Sequence, residues 1–322
     1  MTMKIEFYKK ASAAEWKGRT DPTHGLMYQH VQFLDLETMA SEPLSGIGLI
    51  GFCSDEGVRR NQGRVGAKDG PKAFRGALSG CAFSNELPKL YDCGDIVCES
   101  QDLEGAQLAL GKAVHLIREK GLMPMVIGGG HETAWGHYLG LESDPLVEDL
   151  AIVNFDAHFD MRQDKEATSG TAFMQIAQSC QRHNISFHYY CFGIQPQANT
   201  EALFMAAKNQ QVHFRTAEDI FATPHLISQD LKHIIQRHQA IYLTICLDVF
   251  AYPYAPGVSA VSDFGLTPWQ VIPALKEIAK SGKLVSLDIV ELAPNHDKDN
   301  ITAKLASTLS HHLMSHLGGR DA

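Results

Sequence analysis

Eight short apolar runs, separated by stretches whose apolar residues recur every three to four positions, constrain the fold of this chain more than any other feature. The runs are Ile47 to Phe52, Leu90 to Val97, Met123 to Ile127, Leu150 to Phe155, His188 to Phe192, Val212 to Arg215, Ile241 to Leu247 and Leu284 to Val290. Helical spacing marks Glu104 to Lys120, Phe173 to His183, Pro224 to Gln236, Pro268 to Ser281 and Asn300 to Leu317. Short, continuously apolar runs suit strands buried on both faces, and their alternation with helices predicts an α/β protein with a largely parallel sheet covered on both sides. Residues 1–44, polar and irregular around Trp16, Gly18, Arg19, Pro22 and Gly25, read as a leader packed on the domain, and 45–322 read as one domain.

Open parallel sheets carry their sites at the carboxyl ends of the strands, so the positions just after each run are the place to look for chemistry. There the chain places Cys53-Ser54-Asp55-Glu56-Gly57, Gly128-Gly129-Gly130-His131-Glu132, Asp156-Ala157-His158-Phe159-Asp160, Cys246-Leu247-Asp248 and Glu291. Strand alternation aims Asp156, His158 and Asp160 toward one point, and two carboxylates with an imidazole suit a hard or borderline divalent cation. The plainer reading is Asp and His lining a turn. His131-Glu132 is not the start of a zinc-protease helix, because Trp135 stands where its second His belongs. His137 reads as a packing residue, and His311, His312 and His316 as an exposed helical face.

A net charge of -9 with no basic stripe excludes a protein built to hold nucleic acid. The first twenty residues lack an apolar core and no window approaches eighteen apolar residues, which predicts a soluble, cytoplasmic protein with no membrane partner. Seven scattered cysteines without a Cys-x-x-Cys pair fit a reducing compartment. Cys53 and Cys246 each end a strand and so share a sheet edge. With Cα atoms within about 7 Å they could form a disulfide that removes a metal ligand and makes activity depend on reductant, and otherwise they are unrelated thiols.

With Gly-Gly-Gly-His at 128–131, Asp-Ala-His-Phe-Asp at 156–160, and Cys246-Leu247-Asp248 followed by Ala255-Pro256-Gly257, residues 46–318 resemble the ureohydrolase family of arginases and agmatinases. The resemblance implies a three-layer α/β/α fold with a central eight-stranded parallel sheet, two Mn²⁺ ions per subunit at its carboxyl edge, and a possible homo-oligomer. It assigns His131 and Asp160 to one ion, His158 and Asp248 to the other, and Asp156 as a bridge. Position 246 usually carries a second bridging Asp; here it is Cys246, a softer ligand that favours zinc over manganese. His131 is also usually preceded by Asp, where this chain has Gly130.

Asp55 to Ala67, Asp156 to Arg162, Ser169 to Phe173 and Ala255 to Ala260 look like the branch of that family that hydrolyses N-formimidoyl-L-glutamate to L-glutamate and formamide in histidine degradation. Arginases and agmatinases usually have His at Phe173, where it serves a guanidinium. Charge points the same way, since a substrate with two carboxylates needs cations, and Arg59, Arg60, Arg64 and Arg162 lie near the predicted edge. Guanidinium matches carboxylate bidentately; the alternative for each arginine is a surface or structural ion pair. Glu291 corresponds to the family's substrate-binding Glu and would pair with the amidinium, or else form a strand-end salt bridge. Asp160 is the expected proton carrier, and Ser169, Gly170 and Thr171 are expected to shape the pocket. The rivals are an agmatinase or other guanidine or amidine hydrolase of the same fold, a non-catalytic metal- or ligand-binding homologue, and a one-zinc histone-deacetylase-like enzyme.

Overall fold

A computed structural model describes residues 4–39 and 42–317. Residues 1–3, 40, 41 and 318–322, which belong to the expected leader and domain spans, lie outside the described residues. The strands are β1 (Tyr8–Lys9), β2 (Gln32–Phe33), β3 (Gly46–Cys53), β4 (Leu90–Val97), β5 (Leu122–Ile127), β6 (Leu150–Phe155), β7 (His188–Ile194), β8 (His213–Thr216), β9 (Ala240–Cys246) and β10 (Leu284–Val290). They form one sheet in the order β1-β4-β3-β5-β10-β9-β6-β7-β8, and β2 pairs with β4. The eight strands from β3 to β10 are mutually parallel, and each matches an expected run to within two residues.

The two leader strands both add to the outer edge of β4. Tyr8 lies antiparallel to Ile96, whereas Gln32 runs parallel to Tyr91. They cover an edge that would otherwise expose unpaired backbone groups. A buried ion cluster anchors the leader there. Arg75 pairs with Asp92, Asp95 and Glu15, and the Trp16 indole donates to Asp92 at 2.6 Å.

Helices cover both faces. Gly70–Ser79, Leu226–Arg237, Pro268–Lys280 and Ile301–Met314 pack on one side, through Phe74, Leu231, Leu275 and Leu309. Leu103–Glu119, Thr133–Leu141, Ala172–His183 and Glu201–Asn209 pack on the other, through Leu110, Tyr138, Ile176 and Leu203. Thr133–Leu141 has no sequence signature of amphipathicity because it is buried nearly all round. His137, on that helix, bonds to Asp288 at 2.7 Å and to Ser286, as a packing residue would.

Candidate metal centre

Four neighbouring strands, β5, β10, β9 and β6, supply the site from their carboxyl ends, the candidate ligands from β5, β9 and β6 and Glu291 from β10. After β5 the chain turns through Gly128, Gly129 and Gly130. A Cβ on Gly129 would lie 1.6 Å from the Ser54 carbonyl oxygen, and one on Gly130 would lie 2.1 Å from Glu132 Oε2. The space that an Asp at 130 would need is therefore taken by the Glu132 carboxylate, which accepts from the Ser54 hydroxyl at 3.1 Å and the Gly57 N–H at 3.2 Å. The turn leaves His131 buried, with its Nδ1 2.8 Å from Asp156 Oδ2 and 3.0 Å from Asp160 Oδ2. Its Nε2 is 3.0 Å from the Thr244 hydroxyl.

Asp156 sits at the end of β6, fixed by donors on both oxygens. Asn154 Nδ2 donates to Oδ2 at 3.0 Å, and the His158 N–H donates to Oδ1 at 2.7 Å. His158 Nδ1 lies 3.6 Å from Asp156 Oδ1 and 3.1 Å from Asp248 Oδ2. Asp156 therefore turns one oxygen toward His131 and Asp160 and the other toward His158 and Asp248. Potential ligand atoms of His131, Asp156 and Cys246 lie within 4.8 Å of one another, as do those of Asp156, His158 and Asp248.

The donor set fits two divalent cations. Nitrogen and carboxylate oxygens converge on each group, and His131 Nδ1 has no well-directed hydrogen bond despite its two close carboxylates. Acceptors packed this closely need positive charge between them. Burial and the charge of Asp156 push the Asp160 carboxyl up. Burial also drives the Cys246 thiol well up, reinforced by Asp156 and Asp248. Asp160 and Glu291 both adopt left-handed backbone, at φ of 48° and 70°. Non-glycine residues rarely do so, and such strain clusters at functional sites.

Beside the ligands lies a pocket of about 200 Å³ lined by Asn61, Asp160, Arg162, Ser169, Ser259 and Glu291, among others. Glu291 Oε1 accepts the His131 N–H at 3.0 Å, while Oε2 is buried without a hydrogen bond. Burial, then the charge of Asp248, pushes the Glu291 carboxyl up to about 7. Arg162 is exposed at this pocket and is not paired with any carboxylate among the described residues. Its N–H donates to the Gly170 carbonyl at 2.8 Å, and its side chain lies against Gly170, whose added Cβ would be 3.0 Å from Arg162 Cδ. Ser169 lines the pocket and accepts from Asn61 at 3.1 Å. Thr171 stays behind the wall, bonded to Thr168 and Gln175.

The other three arginines require a correction. Arg59 forms a bidentate pair with Glu56 at 2.7 and 2.6 Å, and Arg60 bonds to Glu56, Glu104 and the carbonyls of Gln101 and Ala167. Arg64 donates to the carbonyls of Val258 and Ser259. None of them is among the residues that line the pocket, and their bonds hold the loop that presents Asn61.

The Cys53–Cys246 pairing is also overturned. Both end strands at the same edge, but β5 and β10 stand between β3 and β9. Three strand spacings amount to about 14 Å, too far for a disulfide. All seven cysteines are free, and the charges acting on Cys53 are those of Asp95, Arg75, Glu15 and Lys9 rather than of the candidate metal ligands.

Phe173 is fully buried, edge-on to the His131 ring at 5.1 Å and stacked on Tyr189 at 4.3 Å. The residues that sequence reasoning missed are Asn61 and Ser259 in the pocket, and Asn154 and Thr244 behind the ligands. The last two had a signal, since each lies two positions before a ligand residue and hence on the same strand face.

The arginase family model matches residues 45–315. A formimidoylglutamase of Chromobacterium violaceum is 44% identical over 307 residues, covering 94% of this chain and 97% of that protein. One from Legionella pneumophila is 42% identical over 313 residues, covering 95% and 97%. A crystal structure of Trypanosoma cruzi formiminoglutamase with Mn²⁺ superposes with a TM-score of 0.77 at 26% identity, over 86% of this chain and 94% of that one. The Bacillus subtilis formimidoylglutamase, at 23% identity and a TM-score of 0.81 over 94% and 95% of the two chains, shares the fold.

Proposed function

The chain belongs to the arginase family, and we propose that it hydrolyses the formimidoyl C–N bond of N-formimidoyl-L-glutamate, giving L-glutamate and formamide in histidine degradation. The observation that carries this reading is one pocket in which Arg162, without a carboxylate partner among the described residues, and a buried carboxylate oxygen of Glu291 that lacks a hydrogen bond stand beside the candidate metal-ligand cluster. A substrate with carboxylates at one end and an amidinium at the other matches that pattern of charge.

His131 and Asp160 would hold one ion, His158 and Asp248 the other, with Asp156 between them and Cys246 beside the first. Two Mn²⁺ ions per subunit fit the carboxylate-rich set, and the Trypanosoma relative carries Mn²⁺. When bound, such a pair supplies a nucleophilic water at neutral pH. The residues around it do the rest. Glu291 Oε2 receives the cationic amidinium and holds the amidine carbon toward the ligand cluster. Arg162 takes a substrate carboxylate at the pocket mouth, with Ser169 and Asn61 forming the adjoining wall; Gly170 and Thr171 set the height of that wall.

Once water's oxygen has added to the amidine carbon, the bond to the glutamate nitrogen breaks only as that nitrogen gains a proton. Asp160, held near His131 and open to the pocket, takes that proton from the added water and delivers it to the nitrogen. A guanidine hydrolase usually has His at position 173, and Phe173, packed behind the pocket against His131 and Tyr189, offers no hydrogen-bonding group in its place. The free cysteines fit a cytoplasmic setting, and among the described residues no helix is long and apolar enough to cross a membrane.

The test is a substrate panel with Mn²⁺ supplied. N-formimidoyl-L-glutamate should exceed agmatine and L-arginine in kcat/KM by on the order of 10⁴-fold, as for a site built around substrate polar groups. Urea release from either guanidine at a comparable rate would replace this reading with the agmatinase or arginase one.

A further inference from the structure

At the opposite edge of the sheet, Asp149, His188 and His238 converge. Strand register brings them together. Leu150 of β6 pairs with Ala240 of β9, and Ala151 of β6 pairs with His188, the first residue of β7. Asp149 immediately precedes β6, and His238 lies two residues before β9. Three neighbouring strands therefore each bring one potential ligand to the same point, and the ligand atoms lie within 4.8 Å of one another.

Asp149 Oδ1 is 2.7 Å from His238 Nδ1, and the Tyr190 hydroxyl is 2.7 Å from His238 Nε2. The His188 and His238 rings are 4.5 Å apart. His238 is fully buried, whereas Asp149 and His188 are half-buried. His188 and Tyr190 open onto a cavity of about 780 Å³ that Arg237 and His213 also line.

We propose that Asp149, His188 and His238 form an accessory site for a borderline divalent cation of the zinc class, separate from the catalytic edge. Two imidazoles and one carboxylate are a donor set that zinc takes with three protein ligands and one open position, which here faces the cavity. Tyr190 does for His238 what an outer-shell partner does for a metal-bound histidine. With metal bound, its hydroxyl oxygen would accept the Nε2–H and leave the Nδ1 lone pair to ligate.

Without metal, His238 Nδ1–H donates to Asp149 Oδ1, and a cation entering the site takes the place of that hydrogen between the two side chains. Burial, with His238 and Arg237 nearby, holds His188 below its ordinary value and keeps its imidazole neutral, the form that ligates. Lys283 does not compete for Asp149, because its ammonium donates to the carbonyls of Ile235 and His238. An ion here ties the starts of three strands together, so it raises thermal stability and leaves turnover unchanged.

The experiment adds Zn²⁺ to the Mn²⁺-loaded protein, removes free metal by gel filtration, and measures zinc plus manganese per chain for the wild type, His188→Ala and Asp149→Asn. Exchange of zinc for manganese at the catalytic edge leaves that sum unaltered, so the sum reports the accessory site alone. The wild type should hold about one ion more per chain than either variant, and both variants should retain wild-type turnover. An equal sum in wild type and His188→Ala overturns the proposal, leaving only a proton-bridged Asp149–His238 pair. Should the variants fail to fold, zinc-edge anomalous diffraction from the soaked wild-type crystal decides, by a peak or no peak among the three side chains.

Discussion

His131 and Glu291 are joined across the sheet edge. The His131 backbone N–H donates to Glu291 Oε1 at 3.0 Å, and Glu291 Oε2 is left buried without a hydrogen bond. Replacing Glu291 by Gln keeps an acceptor for His131 and removes the charge offered to the amidinium. Losing one partner of a desolvated charge pair costs about 3 kcal/mol, so kcat/KM should fall by roughly 100-fold. Metal content should not change. A fall of only a few fold, measured with full metal occupancy, would return Glu291 to a structural role.

Arg162 and Arg60 separate substrate binding from loop anchoring. Arg162→Ala should raise KM by about 10- to 100-fold, the worth of a charge-assisted hydrogen bond, and leave kcat nearly unchanged. Arg60→Ala should instead lower the melting temperature, because Arg60 ties Glu56 to Glu104 and to two carbonyls. The check is steady-state kinetics beside thermal unfolding of both variants. An unchanged KM in Arg162→Ala defeats the assignment.

Cys246 lies with His131 and Asp156 in one ligand group. Cys246→Asp should shift metal preference toward Mn²⁺ over Zn²⁺ by roughly tenfold or more, about 1.4 kcal/mol, because carboxylate is the harder ligand. Competitive calorimetry measures the ratio. No shift would mean that the thiol is a neighbour of the ions and not a ligand.

Glu56 supplies a pH dependence away from the metal ligands. Its bonds to Arg59, and then to Arg60 against the cost of burial, hold its carboxyl below its ordinary value of 4.5. A carboxyl depressed in the folded state stabilises the fold above its unfolded pKa, and that stabilisation disappears as pH falls through the folded value. The metal-stripped wild type should therefore melt above Glu56→Gln from neutral pH down to about 5, with the gap closing below about 4. A gap that does not narrow as the pH falls below about 4 would show that the carboxylate charge is not its source.

How far the sequence was legible depended on what each residue needed from its surroundings. Leu150–Phe155 announced itself because a strand buried on both faces is almost wholly apolar, here all but Asn154. Tyr8–Lys9 and Gln32–Phe33 did not, since such short polar strands exist only because β4 has a free edge to lend. The candidate ligand residues could be placed at strand ends, but the lateral order of the strands could not be read. That order is why Cys53 and Cys246 share an edge yet stand three strands apart. Arg60 and Arg162 are alike in sequence. What distinguishes them is Glu104, brought to Arg60 from 44 residues away, and the absence of any carboxylate partner for Arg162 among the described residues.

The most direct measurement follows an isotope-labelled formimidoyl carbon by NMR as the purified chain acts on N-formimidoyl-L-glutamate, first stripped of metal and then with Mn²⁺ restored. The label should pass into formamide, with L-glutamate appearing in equal amount, only in the metal-loaded protein. Formamide production at the same rate without metal, or an unaltered label in a protein that holds its full complement of Mn²⁺, would contradict the account.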